Sequence, residues 1–270
     1  MSNKSRQSDI AYFERGCTPL LLSFAEPYRT DLQLLQKDFE KALLPWWQEL
    51  EPKYTEFNDN FTFSLLPVFS LALDDYLGIK RDASMVMANV VRLFYFGHHL
   101  HELVPDENED SYHEAEVEFS ILAGDYILGK VLHLLTEADL EMLLGIFSEM
   151  MAEMNEGMVL KYYFQPSCID MLIRSRMPLY ASMGLSAATV AKQPEPRKLL
   201  FRDLCFHYGM AAELVNHNGF PDEAHRHLSK CEAIFAEINY SSSFTNTALE
   251  KAICDLRIFQ ADQNERTATQ

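Results

Sequence analysis

The chain has 270 residues, of which 48% are hydrophobic and only 10 are Gly and 11 Pro. It is long and apolar enough to bury a core and too poor in turn formers for a β-rich fold. A formal net charge of −17 opposes binding to nucleic acid or an anionic membrane, and an anionic substrate would need local basic groups or a metal.

Residues 1–10 are polar, are expected to be frayed, and contain no apolar signal segment. Over residues 32–50, Leu32, Leu35, Phe39, Ala42, Leu43 and Trp46 recur at helical spacing, so an amphipathic helix is expected, kinked at Pro45. Residues 61–77 are almost continuously apolar and predict a buried central helix ended by Gly78. Residues 82–104 predict a helix capped by Asp82, with Val86, Val90, Leu93, Phe94 and Gly97 inward. After the acidic stretch 106–111, residues 112–135 read as helix. Thr136 is then expected to open another that reaches Phe164. Helices over 167–184, from Arg197 to about His217, from Asp222 to about Ile238, and a last one to about Gln260 complete the chain.

The pattern predicts an all-α protein of about nine or ten helices. One domain is expected over residues 11–262, with a polar tail at 263–270. Asp125 and Lys130 interrupt the most apolar stretch, Val117 to Leu135, so no membrane span is expected. The cysteines Cys17, Cys168, Cys205, Cys231 and Cys254 are scattered without CxxC spacing. They suggest reduced thiols and a cytoplasmic location.

Two features carry candidate chemistry. His98, Glu102 and Asp106 recur every four residues, flanked by His99 and His101. One reading is a helical metal-binding protein using His98, His101 and Glu102. The other is a solvated helix end beside an acidic loop. Asp125 lies within the apolar run 121–128, where a buried carboxylate is costly unless paired.

The segment ILAGDYILGK at 121–130 resembles the L-A-G-D-Y-L-L segment of trans-polyprenyl diphosphate synthases. Weaker resemblances follow in family order: FSLLPVFSLALDDYLG at 63–78, LFYFGHHLHELVPD at 93–106, EMNEGMV at 153–159, IDMLIRSRMPLYASMGLS at 169–186, and HYGMAAELVNHNGF at 207–220. The resemblance implies an isoprenoid synthase-type helical bundle around a central cavity. In the active family two Asp-rich motifs hold Mg²⁺ against an allylic diphosphate, and basic residues hold isopentenyl diphosphate.

This chain departs from that pattern at each functional position. The first motif reads Glu102-Leu103-Val104-Pro105-Asp106, with acid only at its ends. The second reads Asn216-His217-Asn218-Gly219-Phe220, without a carboxylate. The family Gln falls on Glu213, and the Lys-Thr pair on Arg176-Met177. Where Gly-Lys-Arg is expected the chain reads EFNDNF, and residues 107–116 lack the Arg pair. The resemblance therefore implies a degenerate member, similar to the small, non-catalytic component of heterodimeric heptaprenyl or hexaprenyl diphosphate synthases. Such a subunit would complete the fold of a catalytic partner and help set product length. Any Mg²⁺ would be held in the complex, with Glu102 and Asp106 the residual metal ligands. Allylic and isopentenyl diphosphates would bind weakly if at all. A homodimer and a stand-alone Mg²⁺-dependent prenyltransferase built on Glu102 and Asp106 are the alternatives. Gly97, five places before Glu102, implies room for a long product or close helix packing.

Overall fold

The computed structural model describes residues 23–58, 60–104, 114–164, 167–217, 220–239 and 247–268. These form α1 (Arg29–Ala42), α2 (Trp47–Phe57), α3 (Phe61–Tyr76), α4 (Arg81–Glu102), α5 (Glu114–Glu137), α6 (Leu144–Phe164), α7 (Cys168–Ser175), α8 (Met177–Val190), α9 (Glu195–Asn216), α10 (Pro221–Asn239) and α11 (Ala248–Ala268). No strand occurs among the described residues. The architecture is the all-α bundle expected from the sequence.

The central helix is α3. Its side chains from Phe61 to Asp74 are buried except at Ser64, so its apolar run is covered by neighbours all round. Asn60 caps it by accepting a hydrogen bond from the Phe63 N–H at 3.0 Å. It ends as expected at Gly78, whose φ of +67° is the left-handed conformation that glycine tolerates best. The Ile79 N–H then bonds back to the Asp74 carbonyl at 2.9 Å. Packing against α3 are α4, α8 and α11, while α9 is wedged between α8 and α10.

Two expected helices are divided. The helix expected over 32–50 separates at Pro45, which removes a backbone donor. The Leu44–Pro45 bond is cis, and α2 restarts at Trp47. The helix expected over 167–184 breaks at Arg176 (φ −125°), and Pro178 follows at the second residue of α8. Other ends also move. Asp82 lies in the first turn of α4 rather than capping it. The Thr136 hydroxyl donates to the Leu132 carbonyl at 2.9 Å, so it closes α5 instead of opening the next helix. The last helix continues past Gln260 to Ala268.

Where α4 crosses α5, Gly97 faces Gly124. A Cβ on Gly97 would lie 3.0 Å from Ile127 Cγ2. A Cβ on Gly124 would collide with the His101 ring and lie 3.1 Å from the Gly97 carbonyl. Gly97 therefore serves close helix packing, and the reading that it makes room for a product is corrected: its neighbour is another helix.

Candidate functional site: a neutralised cation in the bundle interior

The site is assembled from α3, α4, α8, α9 and the α7–α8 break. Tyr95, His98 and Glu102 follow one another along a face of α4 at spacings of three and four. Arg176, at the helix break, turns toward them. Its Nη2 lies 3.4 Å from Glu102 Oε2, its Nη1 donates to the Ser175 carbonyl at 3.2 Å, and its guanidinium sits 4.9 Å over the Tyr95 ring. The Glu102 and Arg176 side chains are only 14% and 19% exposed, so water screens the pair weakly.

One turn beyond Arg176, the Tyr180 hydroxyl donates to Glu213 Oε1 at 3.0 Å, and Thr62 donates to the same oxygen at 2.7 Å. All three side chains are buried. Gly209 makes this possible: a Cβ there would stand 2.5 Å from Tyr180 Cγ. A glycine one turn before Glu213 thus admits the ring whose hydroxyl reaches the carboxyl group.

Burial and charge act on these groups in different balances. Burial raises the Glu102 pKa, but Arg176, His98 and Lys161 outweigh it and hold the carboxyl below its ordinary range. Burial would lower the Arg176 pKa, but Tyr95, Glu102 and Glu213 hold it raised. Glu213 goes the other way: burial raises its pKa against the opposing hydrogen bond from Thr62 and the charge of Arg176. Burial pushes Tyr95 up to about 12. His98, buried with Nε2 unpaired, is pushed down to about 4 by burial. The interior therefore holds a charged Arg176–Glu102 pair beside a neutral imidazole.

The sequence-derived candidates scatter. Glu102, Arg176 and Glu213 meet in the interior. Asp125 does not: its side chain is 67% exposed and lies 3.3 Å from His101 Nε2. The expected cost of burying Asp125 is absent because it faces outward. The three histidines diverge: His98 points inward beside Phe94, His99 stacks on Phe57 at 3.8 Å, and His101 packs against Gly124 of α5. Among the described residues no group of three or more His, Cys, Asp or Glu side chains is arranged to hold a metal. The reading of a metal site on His98, His101 and Glu102 is therefore corrected. Asn216 and His217 are exposed at the end of α9, and Asp106 lies outside the described residues. The described residues do not fit the Mg²⁺ that the resemblance implies, because Arg176 engages Glu102 and Asn216 offers no carboxylate.

Sequence reasoning missed Thr62, Tyr95 and Tyr180. Tyr180 carried a signal, lying four residues after Arg176. It also missed Arg92, buried on α4 between Phe39 and Phe63, each ring centroid 4.7 Å from the guanidinium. Arg92 donates to Gln36 at 2.7 Å and to Tyr54 at 2.8 Å.

The outer face of α5 has a different character. Ile121, Leu122 and Leu132 are exposed, Leu122 by 68%. The Leu43–Trp46 turn lies against the same helix, Tyr126 donating to the Leu44 carbonyl at 2.6 Å, and leaves Leu44 and Trp46 exposed. By length and composition alone, residues 115–137 could cross a bilayer, a test that core helices also pass; 33% of its most apolar window is buried. The described cysteines Cys168, Cys205, Cys231 and Cys254 are free thiols.

No family model and no curated protein sequence matches the chain. Solved structures do. A polyprenyl synthase from Caulobacter crescentus, complexed with calcium and isoprenyl diphosphate, superposes with a TM-score of 0.73 at 15% identity, covering 88% of this chain and 97% of that one. The geranyl diphosphate synthase small subunit from Antirrhinum majus superposes with a TM-score of 0.68 at 15% identity, covering 89% of this chain and 100% of that one. A geranyltranstransferase from Thermotoga maritima superposes with a TM-score of 0.62 at 14% identity, covering 88% and 99%. The chain therefore has the fold of the polyprenyl and isoprenyl diphosphate synthases.

Proposed function

We propose that this chain is a non-catalytic subunit of a heteromeric long-chain polyprenyl diphosphate synthase, acting in the cytoplasm. It would complete the fold of a catalytic partner and help set product length. The observation that carries this reading is the Arg176–Glu102 pair. A guanidinium that could hold an anionic diphosphate is instead neutralised by the chain's own carboxylate, 3.4 Å away. Two diphosphates need several cationic charges or metals close to their oxygens. The second-motif position offers Asn216 and His217.

The outer face of α5 supports the association. A run of Ile121, Leu122 and Leu132 beside Leu44 and Trp46 would be costly to leave in water, and such patches are used for binding partners. A small subunit of a geranyl diphosphate synthase among proteins of this fold supports the same reading.

The test is co-expression with a polyprenyl synthase chain that retains both Asp-rich motifs. The two should co-purify in fixed ratio, and the complex should turn over allylic and isopentenyl diphosphates with Mg²⁺ faster than the catalytic chain alone. Absence of a complex, or turnover by this chain by itself, overturns the proposal.

A further inference from the structure

Away from the interior site, His207 of α9 and His227 of α10 meet across the seam between the two helices. Their Nδ1 atoms are 2.8 Å apart, with the ring planes inclined at 51°. Two neutral imidazoles can share one proton in that geometry, and the same convergence suits a cation placed between two nitrogen lone pairs. Behind His227, Glu223 Oε1 stands 3.6 Å from Nε2. Metal-binding histidines commonly present their far N–H to a carboxylate, which fixes the tautomer and leaves the near nitrogen free to coordinate. The pair is half-buried, with Phe206 along one side.

We propose that His207 and His227 form a two-histidine site for a divalent first-row transition ion such as zinc, nickel or copper, completed by water. Imidazole nitrogens select these ions over Mg²⁺ or Ca²⁺. With metal–nitrogen bonds of about 2.0–2.1 Å, tetrahedral coordination needs the nitrogens about 3.4 Å apart. The rings must then separate by about half an ångström from their present contact, a side-chain adjustment rather than a helix movement. The charged groups around the pair are Asp203 and Lys230 beside His207, and Glu223, Arg226 and Lys230 beside His227. The strong overall negative charge draws cations to the surface. Metal binding would clamp α9 to α10 and so brace the helix that carries Glu213.

The experiment titrates Zn²⁺ by calorimetry into full-length, tag-free protein freed of metal with a chelator. One equivalent should bind. His207→Gln and His227→Gln should each abolish that event, and Glu223→Gln should weaken it by about tenfold. His133→Gln, on the exposed face of α5, should leave it intact. Histidine ¹⁵N spectra of the unaltered protein give a readout independent of any variant: the Nδ1 signals of His207 and His227 should shift on adding Zn²⁺. No stoichiometric binding, binding that survives both histidine substitutions, or unmoved Nδ1 signals overturns the assignment.

Discussion

Arg176 Nη2 lies 3.4 Å from Glu102 Oε2, across 74 residues of sequence, while its guanidinium covers the Tyr95 ring. Breaking such a pair from one side leaves a charge in a poorly solvated place. Glu102→Gln should lower the stability to chemical denaturation by about 3 kcal/mol at neutral pH. The double variant Glu102→Leu/Arg176→Met should recover much of that loss, because neither charge then remains. A double variant no more stable than Glu102→Gln would refute this account.

The same pair sets an acid limit. The folded Glu102 pKa lies below its ordinary value of 4.5. The stability it supplies is therefore fully present above pH 4.5 and is lost as the pH falls through the folded pKa. Unfolding followed from pH 7 down to pH 3 should show this loss only below pH 4.5, and Glu102→Gln should remove it.

His98 titrates over a neighbouring range. Burial depresses its pKa from 6.5 to about 4, so the folded state favours the neutral ring. That contribution is present above pH 6.5 and is lost progressively as the pH falls to about 4, by up to about 3 kcal/mol. His98→Leu removes both the titration and the unpaired Nε2. The variant should be at least as stable at pH 7 and clearly more stable at pH 5, measured by thermal unfolding.

Glu213 tests whether the interior carboxyl serves as an acceptor or as a charge. Its raised pKa means that the neutral acid is favoured in the fold. The associated stability is present below pH 4.5 and is lost as the pH rises through the folded pKa. Glu213→Gln keeps an acceptor for Thr62 and Tyr180 and should stay within about 1 kcal/mol of the unaltered protein. Glu213→Ala strands both hydroxyls and should cost about 1–3 kcal/mol. Equal losses from the two substitutions would mean that the charge matters.

On α5 two glycines should respond oppositely. Gly124→Ala drives a methyl group into His101 and should destabilise by about 1–3 kcal/mol. Gly129 has nothing within 4 Å of its would-be Cβ, so Gly129→Ala should stabilise the isolated chain by up to about 1 kcal/mol. Leu122→Lys, on the same outer face, should leave unfolding almost unchanged yet abolish co-purification with a catalytic partner. An undiminished complex would remove α5 from the interface.

The sequence determined the helical class and most of the core-facing residues, though Trp46, placed in an apolar stripe by its spacing, lies exposed in the turn after α1. An apolar run such as 61–77 or a stripe such as Val90, Leu93 and Phe94 encodes burial locally, through its period. That residues 216–220 carry no carboxylate was equally legible, because it concerns residue identity alone. Helix boundaries at Pro45, Thr136 and Arg176 were not fully legible. There proline rings at Pro45 and Pro178, and a hydroxyl turned back onto its own helix, mark where the backbone breaks. Tertiary structure alone decided that Asp125 faces outward, that Gly97 serves a helix crossing, and that Arg176 is neutralised by Glu102. It also decided that His207 meets His227. Each of these depends on which helix lies opposite, a contact between residues far apart in sequence that no local periodicity encodes.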